Sequence, residues 1–172
     1  LSEYKITETA RAIQSFVDEL SNWYVRLSKQ RFWGKEWTGD KKAAYETLYT
    51  VLVTLSKVIA PFVPFMAEDI YQNLVISVNP DAPESVHLCD FPVADEAMID
   101  EDLNRQMAAL REVVSLGLSS RSAANLKVRQ PSACLYVKGT EFDEAFRELA
   151  EDELNVKNVV FTEDARDRKS VV

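Results

Sequence analysis

Glycine is scarce in this sequence: four in 172 residues, beside six prolines and a single histidine. Few glycines allow few tight turns and favour long helices. The two cysteines, Cys89 and Cys134, are far apart and lack Cys-x-x-Cys spacing, which excludes a disulfide framework. They are expected as buried free thiols in a reducing compartment. No apolar run is long enough to span a bilayer. The opening Leu1-Ser2-Glu3-Tyr4-Lys5 has no initiator Met, no signal-peptide core and no transit-peptide character, so the chain reads as a piece of a longer cytoplasmic protein. There is no repeat, no low-complexity tract, no Gly-rich phosphate loop and no nucleophile motif. His87 has no second histidine or nucleophile beside it, which leaves a structural hydrogen bond as its expected role. Neither a catalytic residue nor a metal site is expected.

What is present is an ordinary globular composition, 47% apolar, on an acidic chain of net charge -8. That balance argues against unspecific nucleic-acid affinity. The charge is nonetheless segregated. Residues 26–42 carry Arg26, Lys29, Arg31, Lys35, Lys41 and Lys42 against Glu36 and Asp40. Residues 121–138 carry Arg121, Lys127, Arg129 and Lys138 with no acid at all. Two basic patches on an acidic body follow.

Helical periodicity dominates the chain in order. Ile13, Phe16, Val17, Leu20, Trp23 and Leu27 mark one face of a long helix that Thr7 or Thr9 would cap. The stripe fails after Leu27, and an aromatic loop with Phe32, Trp33 and Trp37 follows around Gly34 and Gly39. Asp40 is the expected cap of a second helix with Ala44, Leu48, Val51, Leu55 and Val58 on its stripe. Pro61 and Pro64 end it and start a third, shorter helix carrying Met66, Ile70, Tyr71 and Leu74. Residues 79–92 read as a loop broken by Pro80, Pro83 and Pro92. Leu103, Met107, Leu110, Val114 and Gly117 open a fourth stripe running to about Ala124. The carboxylates Glu68/Asp69 and Asp100/Glu101/Asp102 sit at helix starts, where they answer the helix dipole rather than a metal.

After Pro131 the pattern changes to strand (133–137), short helix (141–150, capped by Thr140) and strand (156–161), with 166–172 as a frayed end. The expected fold is mainly α: an antiparallel helical bundle over 1–130, with a small β-α-β appendage over 131–172.

One stretch combines core and contact chemistry. From Asn22 to Trp33, Trp23, Tyr24, Phe32 and Trp33 interleave with Arg26, Lys29 and Arg31, and no acid interrupts them. Trp23 and Tyr24 keep helical spacing with Leu20 and Leu27 and belong to the core. Arg26, Lys29, Arg31, Phe32 and Trp33, at and beyond the end of the stripe, are candidates to meet RNA, which offers phosphates to cations and unpaired bases to aromatic planes.

These residues also carry a resemblance. Ser21-Asn22-Trp23-Tyr24-Val25-Arg26 with Arg31-Phe32-Trp33, the segment Ala60–Leu74 (Ala-Pro-Phe-Val-Pro-Phe-Met-Ala-Glu-Asp-Ile-Tyr-Gln-Asn-Leu), Ser85-Val86-His87-Leu88 with Asp90-Phe91-Pro92, Lys127-Val128-Arg129-Gln130-Pro131 and Glu153-Leu154-Asn155-Val156-Lys157 come in one order over about residues 4–162. The chain resembles the C-terminal anticodon-binding region of class I aminoacyl-tRNA synthetases of the isoleucyl/valyl/leucyl/methionyl group, best the isoleucyl branch in its eukaryote-like form. The resemblance implies a bundle that packs on the anticodon stem and loop of isoleucine tRNA. It implies Arg121, Lys127, Arg129 and Gln130 as a second tRNA-binding set. It further implies a parent ligase of protein biosynthesis that uses ATP and Mg2+, holds this region in cis and has its own editing domain. The signatures His-Ile-Gly-His and Lys-Met-Ser-Lys-Ser are absent, so this fragment is expected to catalyse nothing and to need no cofactor. A Cys-rich zinc-binding tail is also absent. Ser132 departs from the family's usual Leu. A monomer without membrane contact is expected. Rival readings are the valyl or leucyl counterpart, a helical protein-protein module, and a stand-alone enzyme.

Overall fold

The computed structural model describes residues 5–139 and 141–162. It divides into two compact units at Ala94/Asp95. In the first unit, α1 (Ile6–Glu19) runs into a π-helical segment (Leu20–Val25), followed by α2 (Lys29–Trp33), α3 (Gly39–Ile59), α4 (Pro64–Tyr71) and a second π-helical segment (Gln72–Ile76). The second unit holds α5 (Glu101–Ala123), β1 (Leu135–Val137), α6 (Glu144–Leu154) and β2 (Val159–Phe161). The molecule is mainly helical, as the stripes require.

The first helix begins earlier than its stripe. Ile6 is its first residue, Lys5 stands at the cap, and the Thr9 hydroxyl donates to the Lys5 carbonyl at 3.0 Å, so neither Thr7 nor Thr9 caps it. The helix is followed by α3 in the antiparallel sense. Ala12, Ile13 and Phe16 line a groove of about 450 Å3 with Val51, Leu55 and Val58, while Tyr24, further along, donates its hydroxyl to the Ala44 carbonyl at 3.0 Å. Contacts that pair early residues with late ones run opposite ways. Phe16, on the open groove, and Val17, outside it, are exposed, and only Ile13, Leu20, Trp23 and Leu27 of the expected face are half-buried.

The core of this unit is built from Ile59, Ala60, Ala67, Tyr71 and Val86, with Ile13, Leu55, Ile70, Val75, Ile76 and Cys89 packed against it. Pro64 occupies the first turn of α4, where its missing N–H costs no intrahelical bond. Met66 is exposed rather than packed, because α4 turns Ala67, Ile70 and Tyr71 inward. Glu68 fastens the loop after α4. Its carboxylate accepts from Ser85 Oγ at 2.8 Å, from the Val86 N–H at 2.9 Å and from Gln72 Nε2 at 2.8 Å. His87 is exposed, and its backbone N–H donates to Ser85 Oγ at 3.2 Å. Cys89 and Cys134 are free and half-buried, more open than expected.

The second unit places α5 with the strands rather than with the earlier helices, the division into compact units falling at 94/95. The reason is packing: α5 lies on α6, and Gly117 of α5 meets Leu154, which is fully buried. Asp100 caps α5 by accepting from the Leu103 N–H at 2.9 Å. Leu103 itself is exposed, while Leu110, Val114 and Gly117 turn inward. The strands β1 and β2 pair in parallel, Leu135 against Val159, Tyr136 against Val160 and Val137 against Phe161, with α6 as the crossover. That helix begins at Glu144 after Asp143; the expected cap, Thr140, lies outside the described residues, as does 166–172. Both helices of this unit end in an asparagine with positive φ, Asn125 at 56° and Asn155 at 49°. Asparagine tolerates the left-handed region, and here it takes the helix-ending role that glycine fills elsewhere.

Two outcomes follow. A methyl group added at Gly117 would lie 2.7 Å from Leu154 Cδ1. Overpacking outweighs the helix-propensity gain, so Gly117→Ala should lower stability by roughly 1 kcal/mol in urea unfolding; equal or greater stability would mean that the contact is soft. For Glu68, burial pushes the carboxyl up, but the bonds from Gln72, Ser85 and Val86 and the proximity of His87 outweigh it, and its pKa falls below the ordinary 4.5. Its contribution is therefore present above pH 4.5 and lost as pH falls through the lower, folded-state pKa. Glu68→Gln should cost about 1 kcal/mol at pH 7 and approach zero cost in the same urea titration at pH 3. A pH-independent difference would remove the charge from this role.

Candidate nucleic-acid interface

The stretch after the first π-helical segment is helical where a loop was expected. A short α2 carries Lys29 to Trp33, and only residues 34–38 connect it to α3. The reason is Phe32. Its ring is 9% exposed, edge-on to Tyr24 at 6.4 Å and to Tyr45 at 5.1 Å. Burying it between α1's continuation and α3 holds the turn in helical form. Phe32, expected among the outward-facing candidates, is thus packed in the core.

Around that buried ring the candidate cations spread outward. Arg26 donates from Nε to the Asn22 carbonyl at 2.7 Å, and its guanidinium carbon lies 5.7 Å from the Trp23 ring centroid. Lys29 Nζ lies 4.5 Å from the centroid of Trp33, whose ring is 74% exposed. Arg31 is engaged by Asp40 in a bidentate pair, Nε to Oδ2 at 2.8 Å and Nη2 to Oδ1 at 2.7 Å. The hydrogen bond to the Asp40 carboxylate, against a smaller desolvation by burial, holds the Arg31 guanidinium above its usual pKa. This pair also explains why Asp40 does not cap α3. Thr38 does so instead, its Oγ1 accepting from the Lys41 N–H at 3.1 Å.

The second candidate set lies in the other unit, around the end of α5. Arg121 is only 1% exposed. It donates to Ser132 Oγ at 2.7 Å, to the Lys127 carbonyl at 2.8 Å and to the Gln130 carbonyl. It therefore holds the 127–130 turn from within and presents nothing to solvent. Its hydroxyl partner is Ser132. Lys127, Arg129 and Gln130 are exposed on the turn that Arg121 organises, and the Gln130 N–H closes it on the Lys127 carbonyl at 2.9 Å. Asn155 Nδ2 supports the turn from below, donating to the Val128 carbonyl at 2.9 Å.

The family described as the anticodon-binding domain of tRNA ligase matches residues 1–138. The chain belongs to that family. Among its relatives is the isoleucine–tRNA ligase of Clostridium novyi (strain NT), 51% identical over 164 residues that cover 95% of this chain and 16% of that protein. That of Clostridium acetobutylicum is 52% identical over 164 residues, again 95% and 16%. That of Dehalococcoides mccartyi (strain ATCC BAA-2266) is 52% identical over 168 residues, covering 95% and 17%. The chain thus spans about one sixth of the length of the curated relatives it matches.

For an anticodon-binding domain the site has two useful properties. In the first unit Lys29 sits beside an exposed aromatic face, and in the second hydrogen bonds within the protein already fix the turn that carries Lys127 and Arg129. The structure also brings together Trp37 and Lys41, named above only as part of the aromatic loop and of the basic run, with Lys41 Nζ 5.5 Å from the Trp37 centroid. The i, i+4 spacing of Lys41 and Tyr45 on the expected helix was legible, but Trp37 lies in the connection before α3 and its stacking on Tyr45 is a tertiary contact that spacing does not show. Among the described residues no group of three or more His, Cys, Asp or Glu could hold a metal, and no helix is long and apolar enough to cross a membrane.

Arg121→Met should keep the volume and remove the donors. The carbonyls of Lys127 and Gln130 would then lose their partner, and stability should fall by about 1–3 kcal/mol in urea unfolding. Arg121→Lys should not restore it, since one ammonium cannot reproduce a planar fork serving three acceptors. Full stability in either variant would remove Arg121 as the organiser of the turn.

Proposed function

We propose that this chain is the anticodon-binding region of an isoleucine–tRNA ligase and grips the anticodon stem and loop of isoleucine tRNA. The carrying observation is the exposed Lys29–Trp33 pair standing on a buried aromatic cluster, in a chain about half identical to isoleucine–tRNA ligases over 95% of its length. The relatives' names favour isoleucine over valine or leucine tRNA. The contact residues in this reading are Arg26, Lys29 and Trp33 in the first unit and Lys127, Arg129 and Gln130 in the second. Arg31 and Arg121 act one step back: the first latches the α2–α3 connection through Asp40, and the second shapes the 127–130 turn. Phosphates meet the cations and fix the register, while unpaired bases meet the aromatic planes. The rest of the ligase acts in cis, in the cytoplasm. It binds ATP and Mg2+ and performs the aminoacylation, and this region, a monomer, holds the tRNA in place.

Equilibrium binding to isoleucine, valine and methionine tRNA transcripts tests the reading, at low salt and at about 0.15 M, where the screening length is about 8 Å. The isoleucine transcript should bind best, and an anticodon swap should abolish the preference. Lys29→Ala should reduce the slope of log affinity against log salt by roughly 0.7–0.9 if its ammonium neutralises one phosphate. Salt-independent binding, or no binding at low salt, would point instead to a protein-protein module.

A further inference from the structure

The connection between α2 and α3 holds a second aromatic-cation pair that the contact set above does not use. Trp37 is 68% exposed, yet it is not loose. Its ring stacks on Tyr45, with centroids 5.7 Å apart and planes 21° from parallel. Tyr45 is itself fixed by its edge contact with the buried Phe32 and by its hydroxyl, which donates to the Phe32 carbonyl at 3.3 Å. Lys41 Nζ lies 5.5 Å from the Trp37 centroid and donates to the Gly34 carbonyl at 2.6 Å, closing the connection on itself. The pair mirrors the one already described. Lys29 stands four residues before Trp33, and Lys41 four residues after Trp37.

An exposed indole backed by a second ring and held in a closed loop is a preorganised plane. Tyr45 backs one face, the Lys41 ammonium lies over the ring, and the indole as a whole remains 68% exposed. Scattered exposed aromatics are ordinary on a protein surface. Two tryptophans four residues apart, each with an ammonium against its ring, make a more specific pattern. A nucleobase has a π-face of matching size, and the phosphate next to it is a better partner for an ammonium than a neutral ring.

We propose that Trp37 is a base-stacking residue, with one unpaired nucleobase on the indole face opposite Tyr45, the neighbouring base on Trp33, and Lys41 and Lys29 on the flanking phosphates. The occupant is single-stranded RNA, two adjacent nucleotides of the anticodon loop, so the inference rests on the tRNA reading above and deepens it. A duplex does not qualify, because its base faces are already stacked on each other. Arg31 and Asp40 serve the platform indirectly, by fixing the start of α3 on which Lys41 and Tyr45 stand.

The test uses the whole chain, the isoleucine tRNA transcript and, as a control, the anticodon stem as a blunt duplex without its loop. Trp37→Ala should weaken transcript binding about tenfold or more while Trp37→Phe, which keeps a ring, retains most of the affinity. The salt slope should not change, since no cation is lost. Duplex binding should be the same for all three proteins. A reporter with Trp23→Phe and Trp33→Phe leaves Trp37 as the sole indole, and it is read at transcript concentrations where the anisotropy of an end-labelled transcript shows the reporter fully bound. Its emission should be quenched by the transcript and not by the duplex, and this readout stands even if Trp37→Ala fails to fold by circular dichroism. Wild-type binding with Trp37→Ala within twofold of it, an equal loss on the duplex, or an unquenched reporter would each overturn the stacking role and leave the tRNA reading intact. Failure of the wild-type chain to bind the transcript would overturn both.

Discussion

The ring of Phe32, held edge-on between Tyr24 and Tyr45, decides where α2 meets α3, and most of the candidate interface follows from that contact. With the ring buried, the residues on either side of it in sequence have no room inside. Arg31 is turned toward Asp40, and Trp33 is turned out to solvent with Lys29 against it. Tyr45, pinned by the same ring, becomes the backing for Trp37. One buried aromatic contact thus sets out a latch and two exposed indoles within a dozen residues. An aromatic cluster suits the purpose, because edge-to-face ring pairs have a preferred geometry and gain about 0.5–1.5 kcal/mol per pair beyond the area they bury.

The second unit solves a comparable problem with a buried charge. Arg121 replaces a patch of apolar core by a fork that reaches a hydroxyl and two carbonyls, so a turn carrying Lys127 and Arg129 is shaped by a cation beneath it. Burying a guanidinium is expensive unless its donors are satisfied; here Nη1 and Nη2 are, while Nε is buried without a partner. Ser132 supplies one of the acceptors, and a leucine there would supply none. The scarcity of glycine has a related consequence. Left-handed residues are still needed to end α5 and α6, and asparagines fill those places. Their side-chain amides remain available, and Asn155 uses its own to brace the Val128 carbonyl.

On an acidic chain, both candidate surfaces are local exceptions in charge. Self-repulsion from RNA over the acidic body, with attraction only at two basic turns, favours a defined footprint over unspecific adhesion. Both turns are held by hydrogen bonds within their own unit, which lowers the ordering cost when a partner arrives.

The sequence by itself determined the helix periodicity, the Pro64 start of α4, the acidic start of α5, the strand-helix-strand order after Pro131 and the family. Each of these is local, written in spacing, in turn chemistry or in short motifs that neighbouring residues carry together. Which of the interface residues face outward was decided only by tertiary structure. Phe32 and Trp33 are adjacent aromatics with equal claims on a base, and Arg121 and Arg129 are two arginines of one basic run. Burial separates each pair, because whether a side chain meets solvent depends on what distant segments bring against it: Tyr45 for Phe32, and Ser132 with the 127–130 carbonyls for Arg121. The same holds for the boundary at Ala94/Asp95. A change of composition near Pro131 marks where strands begin, but the packing of Gly117 on Leu154 is what binds α5 to them.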